Sequence, residues 1–321
     1  MRFADAIDAF VGDMRAQGRM NSDRTEESYR ACLNRHADVV RNRDPRYVGR
    51  DDVKRTLAEW RHPNTQRTNR SILISFYDWC MEEGWRKDNP ARQTRRPRKR
   101  PVRVYRLTED EAARMLQAAR GTRERRAIYL LMCAGLRNQE VRGLQGRHFQ
   151  RPGVVWISAD IAKGGRERWI PVTEDLDPIV EDIRRQVAAD EYVLPAQRVR
   201  DVGINRERFD RKKERSSSQA LRSLVRRVGR NAGISTPIHP HLLRHAYGDR
   251  MARHAGIRNA QALMGHANVE TTEGYTKVPP LDELIRAVAG FSYKVVQRTS
   301  VLGVLKTPDI PLEATTGIEP V

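Results

Sequence analysis

The sequence predicts a mainly α-helical protein with one small antiparallel β-sheet, divided into an all-helical N-terminal domain and an α+β second domain. Three observations carry this. Apolar residues recur at helical spacing through most of the chain. One segment, "VVWISADIAKGGRERWIPV" (154–172), reads instead as two short strands joined near Gly164-Gly165. A proline-punctuated basic run separates the two halves. The expected boundaries are 1–91 for the helical domain, 92–106 for the linker, 107–291 for the second domain and 292–321 for a tail of weak periodicity.

Four helices are predicted before the linker. Phe3, Ile7, Phe10, Val11 and Met14 form the first stripe. The second begins at Ser22/Asp23 and runs through Tyr29, Cys32 and Leu33, and the third carries Val53, Leu57 and Trp60. The fourth, with Asn64 as its expected cap, places Ile72, Leu73, Phe76 and Cys80 on one face and stops at Gly84. From Arg92 to Arg106 there are eight basic residues and no acid, with Pro97 and Pro101 among them. Proline blocks helix and like charges repel, so this run should be extended. Thr108 and Glu111 then form a capping box. Helices are expected at about 109–119, 123–134, 138–145, 174–188, 219–230 (capped by Ser217 or Ser218), 241–254, 258–264, 269–276 and 281–289. The charged stretch 197–215 has no clear assignment, and no internal repeat is visible.

The chain has 321 residues, 60 Lys plus Arg against 41 Asp plus Glu, and a formal net charge of +19. Such an excess points to a polyanionic partner, most simply nucleic acid. There is no apolar run of about 18 residues and no signal-peptide pattern, so a membrane is not expected and the cytoplasm is. Cys32, Cys80 and Cys133 lie far apart within apolar patterns, as reduced core residues do.

Four stretches of the second domain hold candidate chemistry: "CAGLRNQEVRGL" with Arg137, "IAKGGRERWIPV" with Lys163, "HPHLLRHAYG" with His241 and Arg244 one helical turn apart, and "LMGHANVETTEGY" with His266 nine residues before Tyr275. In this order and spacing they resemble the tyrosine recombinase, or phage-integrase, family. "AGLRNQE" resembles its Gly-Leu-Arg-x-x-Glu turn, "HLLRHAY" its His-x-Leu-Arg-His box, and "LMGHANVETTEGY" its Leu-Gly-His to Thr-Thr-x-x-Tyr segment. "FYDWCMEEGWRKDNPA" is similar to the end of its N-terminal core-binding, SAM-like domain. The resemblance covers about residues 3 to 290.

What this resemblance implies is a C-shaped clamp on DNA in which Tyr275 is the nucleophile. Arg137 and Arg244 would bind the nonbridging oxygens, because arginine is always charged and forked and charge develops there as the phosphodiester is attacked. A tyrosine of free pKa about 10 needs nearby positive charge or a base to ionise. Lys163 on a hairpin is implied as general acid to the leaving 5′ oxygen, His241 as an acid/base and His266 as a hydrogen-bond donor to the phosphate. Glu140 is expected to brace the Arg137 turn. DNA binding is expected from Arg95, Arg96, Arg98, Lys99 and Arg100 on the linker, and groove approach from Arg67 and Arg70 and from part of the 219–230 helix. No cofactor is expected.

His239, His241 and His245 also invite a metal reading. The glutamate that follows the first histidine of a zinc-protease helix is missing, since position 242 is Leu, so no metal is expected. By this resemblance the chain is expected to start at the core-binding domain, without an extra N-terminal arm-binding domain, as in the simple Xer-like or mobile-element enzymes. Its partners would then be double-stranded DNA with inverted-repeat half-sites and three further copies of itself, in a tetramer on two sites at the nucleoid. A non-cutting DNA-binding regulator of the same fold and a type IB topoisomerase are the competing classes. The stripe Leu281, Leu284, Ile285, Val288 and Phe291 is expected to dock on a neighbouring protomer.

Overall fold

The computed structural model describes residues 1–20, 22–101, 105–196, 211–265 and 279–293. His266, Tyr275, the helix expected at 269–276 and the tail beyond residue 293 lie outside them. The chain divides into two compact units, Met1–Val104 and Tyr105–Val321.

The first unit is a bundle of α1 (Phe3–Ala16), α2 (Asp23–Val39), α3 (Arg50–Ala58) and α4 (Pro63–Glu82). Each helix starts where a side chain or a fixed dihedral makes starting cheap. Ser22 caps α2 by accepting from the Thr25 N–H. α4 starts one residue before the expected cap: Pro63 supplies a helical φ, and His62 Nδ1 accepts from the Asn64 N–H. The four apolar stripes meet in one core, with Phe3, Phe10, Leu33, Val53, Leu73 and Phe76 fully buried. Cys32 and Cys80 are free thiols buried within it.

Residues 92–101 do not hang free. Arg70 donates to the Thr94 hydroxyl and carbonyl and to the Arg92 carbonyl, Arg67 donates to the Pro97 carbonyl, and the Asn64 amide pairs with both backbone groups of Arg100. The basic run is therefore a strap laid along α4. Arg95, Arg96, Arg98, Lys99 and Arg100 all point into solvent.

In the second unit come α5 (Glu109–Ala118), α6 (Thr122–Met132), α7 (Asn138–Gly143), β1 (Val154–Ile157), β2 (Arg168–Pro171), α8 (Asp177–Gln186), α9 (Ser218–Asn231), α10 (Pro240–Met264) and α11 (Leu281–Val288). Thr108 with Glu111 and Ser217 provide the caps of α5 and α9. α6 is the central helix, with Ala127, Ile128, Leu130 and Leu131 fully buried among α5, α8, α9 and α10. β1 and β2 pair antiparallel with Val155 opposite Ile170 and Ile157 opposite Arg168. α10 joins the two helices expected at 241–254 and 258–264, and the break falls at Gly256, where φ is 83°.

Within this chain the stripe of α11 is covered by its own unit: Leu284 and Val288 are 5% exposed and Phe291 2%, packed against α10 and β2. Beyond the helix, Tyr293 donates its hydroxyl to the Met132 carbonyl and its N–H to Asp175, and Arg250 lies over its ring. Only Ile285 of the stripe is largely exposed, at 44%.

Candidate active site

The site forms where the start of α7, the first residue of β2 and the two ends of α10 converge. α6 ends in a tight reversal at Gly135, with φ of 61°. A Cβ there would lie 2.2 Å from the ring of Tyr247, which is itself fully buried. Glycine thus satisfies both a left-handed backbone and a close approach. The turn delivers Arg137 as the residue capping α7.

Glu140, one turn into α7, is completely buried. Its carboxylate accepts from the Arg137 N–H at 2.7 Å and from Arg137 Nη1 at 2.9 Å. It also accepts from Arg168 Nη1 and Nη2 at 3.0 and 2.9 Å, and Arg244 Nη1 stands 3.9 Å away. Burial raises the Glu140 pKa, but bonding to Arg168 and Arg137 outweighs it and holds the group in the ionised range. Glu140 braces the turn as expected.

Arg244 is 2% exposed, and its guanidinium donates to the carbonyls of Gly135 and Met264. Burial, and then the nearby charge of Arg137, lower its pKa to about 10. It therefore stays a cation at neutral pH. His241 and His245 stack edge to face at 4.2 Å on the first turns of α10. The His241 pKa is lowered by burial first, and then by His245, Arg244, His239 and Arg137. A base held neutral beside the arginine pair can accept a proton near pH 7. His239 is occupied as the α10 cap, its Nδ1 accepting from the Leu242 N–H. Among the described residues no three His, Cys, Asp or Glu side chains are grouped to hold a metal ion.

Arg137 and Arg244 are thus brought together, with His241 on the same helical turn as Arg244. Lys163 is exposed in the β1–β2 connection. Arg67 and Arg70 donate to the backbone of the strap.

Sequence reasoning missed Arg168. The available signal was strand alternation. Arg168 shares a face with Ile170, opposite Ile157 and Val155, all three of them fully buried, so a charge there points inward and must be paired.

A buried carboxylate gathering three guanidiniums leaves a local excess of positive charge. The phage integrase family model matches residues 105–282, more than half of the chain. Tyrosine recombinase XerC of Salmonella typhi is 29% identical over 64% of this chain and 66% of its own length. Tyrosine recombinase XerD of Shewanella oneidensis is 29% identical over 85% of this chain and 91% of its own length. Among solved structures, a lambda integrase dimer bound to a core site superposes with a TM-score of 0.67 at 18% identity, covering 87% of this chain and 99% of that one. The chain belongs to the phage integrase family and is a site-specific recombinase of the tyrosine class.

Proposed function

We propose that the chain exchanges strands between two double-stranded DNA sites, each with inverted-repeat half-sites, through a 3′-phosphotyrosyl intermediate and a Holliday junction. The observation that carries this reading is the gathering of Arg137 and Arg244 on Glu140 from distant parts of the family segment. The Tyr275 oxygen attacks phosphorus, the bond to the 5′ oxygen breaks, and Lys163 gives that oxygen its proton. His241 takes the phenolic proton, His266 donates to a nonbridging oxygen, and Arg137 and Arg244 hold the developing negative charge. Reversal with the 5′ hydroxyl of another strand rejoins the DNA. The phosphotyrosyl ester keeps the bond energy, so ATP is not required. Each protomer cuts one strand, and two duplexes present four, so a complete reaction takes four copies of the chain. The same reading places the protein at the nucleoid.

The test is a nicked duplex that traps the covalent complex. Tyr275→Phe is expected to bind DNA as the parent does and to form no protease-sensitive adduct. An adduct with that variant would overturn the assignment of the nucleophile. Strand exchange is further expected to proceed in EDTA without ATP. Loss in EDTA with recovery on adding zinc would revive the metal reading.

A further inference from the structure

α10 ends in three consecutive carbonyls, and each is taken by a different arginine. Arg168 Nε donates to Leu263 O at 3.2 Å, Arg244 Nη2 to Met264 O, and Arg137 Nη2 to Gly265 O at 2.6 Å. The same three guanidiniums surround Glu140. Two of them belong to the phosphate clamp read above. The third comes from β2, five residues after Lys163, and its side chain is only 12% exposed. It lies against Gly265, where a Cβ would meet the guanidinium at 3.1 Å.

Charge explains why a third arginine is needed. Glu140 has no exposed surface, so its charge must be met by neighbours and not by water. Were Arg137 and Arg244 alone in meeting it, their N–H groups would turn inward and the cluster would carry one net positive charge. Arg168 meets both carboxylate oxygens with a forked pair of bonds and raises the net charge to two, leaving the other guanidiniums for a phosphodiester. It also roots the hairpin that bears Lys163 on the backbone leading directly into His266.

We propose that Arg168 is a positioning residue for strand cleavage. It neutralises Glu140 on behalf of the Arg137–Arg244 clamp and fixes the base of the Lys163 hairpin to the end of α10. This inference rests on the reading of Arg137 and Arg244 as the phosphate clamp.

The test measures half-site Kd and the rate of covalent-complex formation on a nicked duplex, with thermal melting as a check of folding. Loss of a direct oxyanion donor costs about 100- to 1000-fold in rate, so an indirect loss is expected at about 10- to 100-fold. Arg168→Met should show that loss of rate with half-site Kd changed less than about twofold, and Arg168→Lys, which keeps the charge without the fork, should recover part of it. In a Glu140→Gln background the Arg168→Met change should cost little, because the charge it neutralises is gone. Equal loss in both backgrounds, or rate and Kd falling together, would overturn the proposal. If Arg168→Met does not fold, Arg168→Lys compared in the two backgrounds decides by the same criterion. Arg137→Ala separates the two readings. If it still forms the adduct at the parent rate, the clamp itself is wrong. If it is inactive while Arg168→Met cleaves normally, only the positioning role fails.

Discussion

At the scale of single residues, two sites put large consequences on small groups. Gly135 is the first. Its left-handed φ costs an L-residue about 1–2 kcal/mol, and overpacking against the fully buried Tyr247 adds about 1–3 kcal/mol. Gly135→Ala is therefore expected to lower the stability of the second unit by about 3 kcal/mol in denaturant unfolding. It should also slow cleavage, since the Gly135 carbonyl holds Arg244. An Ala variant of parental stability would mean that the turn relaxes freely. His36 is the second. The Thr56 hydroxyl gives its proton to the Asp52 carbonyl, so His36 Nδ1–H donates to Thr56 and Nε2 accepts from the Tyr77 hydroxyl. Burial pushes the pKa of this neutral histidine from 6.5 down to about 4. The unfolded chain thus binds the proton more readily. The stabilisation is whole above pH 6.5 and is lost as pH falls from 6.5 to about 4, about 3 kcal/mol in all. The depressed carboxylates of the same unit start to lose theirs only below about 4.5 for Glu26 and below about 3.8 for Asp5, Asp44, Asp51, Asp52 and Asp78. Melting of the full chain between pH 7 and 4.5 should show the first unit losing stability, and a His36→Gln variant losing much less of it. An equal loss in that variant would assign the titration elsewhere.

Among the elements, α11 makes the sharpest contrast. Leu284 is 5% exposed and Ile285 is 44% exposed, on adjacent positions of one eight-residue helix. Leu284→Ala should cost about 2–4 kcal/mol, and Ile285→Ala about 0.5 kcal/mol or less, by equilibrium unfolding of the two variants. Equal costs would mean that the helix is not seated by this face. The same helix shows where sequence reading stops. An amphipathic stripe says that a face is covered and not what covers it; within this chain Leu284, Val288 and Phe291 pack on the helix's own unit. Elements whose signal is local were legible: the Ser22 and Thr108 caps, the Gly164-Gly165 hairpin and the all-helical first unit. The α4 start was misread by a residue or two because an imidazole cap with proline behind it carries a weaker signal than asparagine. Of the expected site residues, Arg137, Arg244 and His241, picked out by spacing and resemblance, do come together in the fold. Arg168 was not legible, because in a chain this rich in arginine its type carries no information and only its inward register does.

Over the whole molecule the dominant feature is the net charge of +19, and the strap is its most concentrated part. Six of its cations are exposed, of which Arg92 pairs with Asp78, while the backbone beneath them is held by Asn64, Arg67 and Arg70. These holders and the exposed cations do different things, and salt separates them. Each phosphate neutralised on B-DNA contributes about 0.9 to the slope of log K against log salt. Replacing Arg95, Arg96, Arg98, Lys99 and Arg100 with Ala should therefore weaken binding to all sequences alike and flatten that slope by as much as about 4. Thermal stability should barely move, since the pairing with Asn64 uses the Arg100 backbone. Arg70→Ala removes no outward cation but frees the strap from α4. Ordering then has to occur on binding, so affinity should fall while the number of phosphates met, and hence the slope, stays the same. Kd measured from about 50 to 200 mM salt for the parent and both variants decides the matter. An unchanged slope in the five-residue variant would show that the strap is solvated and not seated on the duplex, and a flattened slope in Arg70→Ala would show that Arg70 itself meets a phosphate.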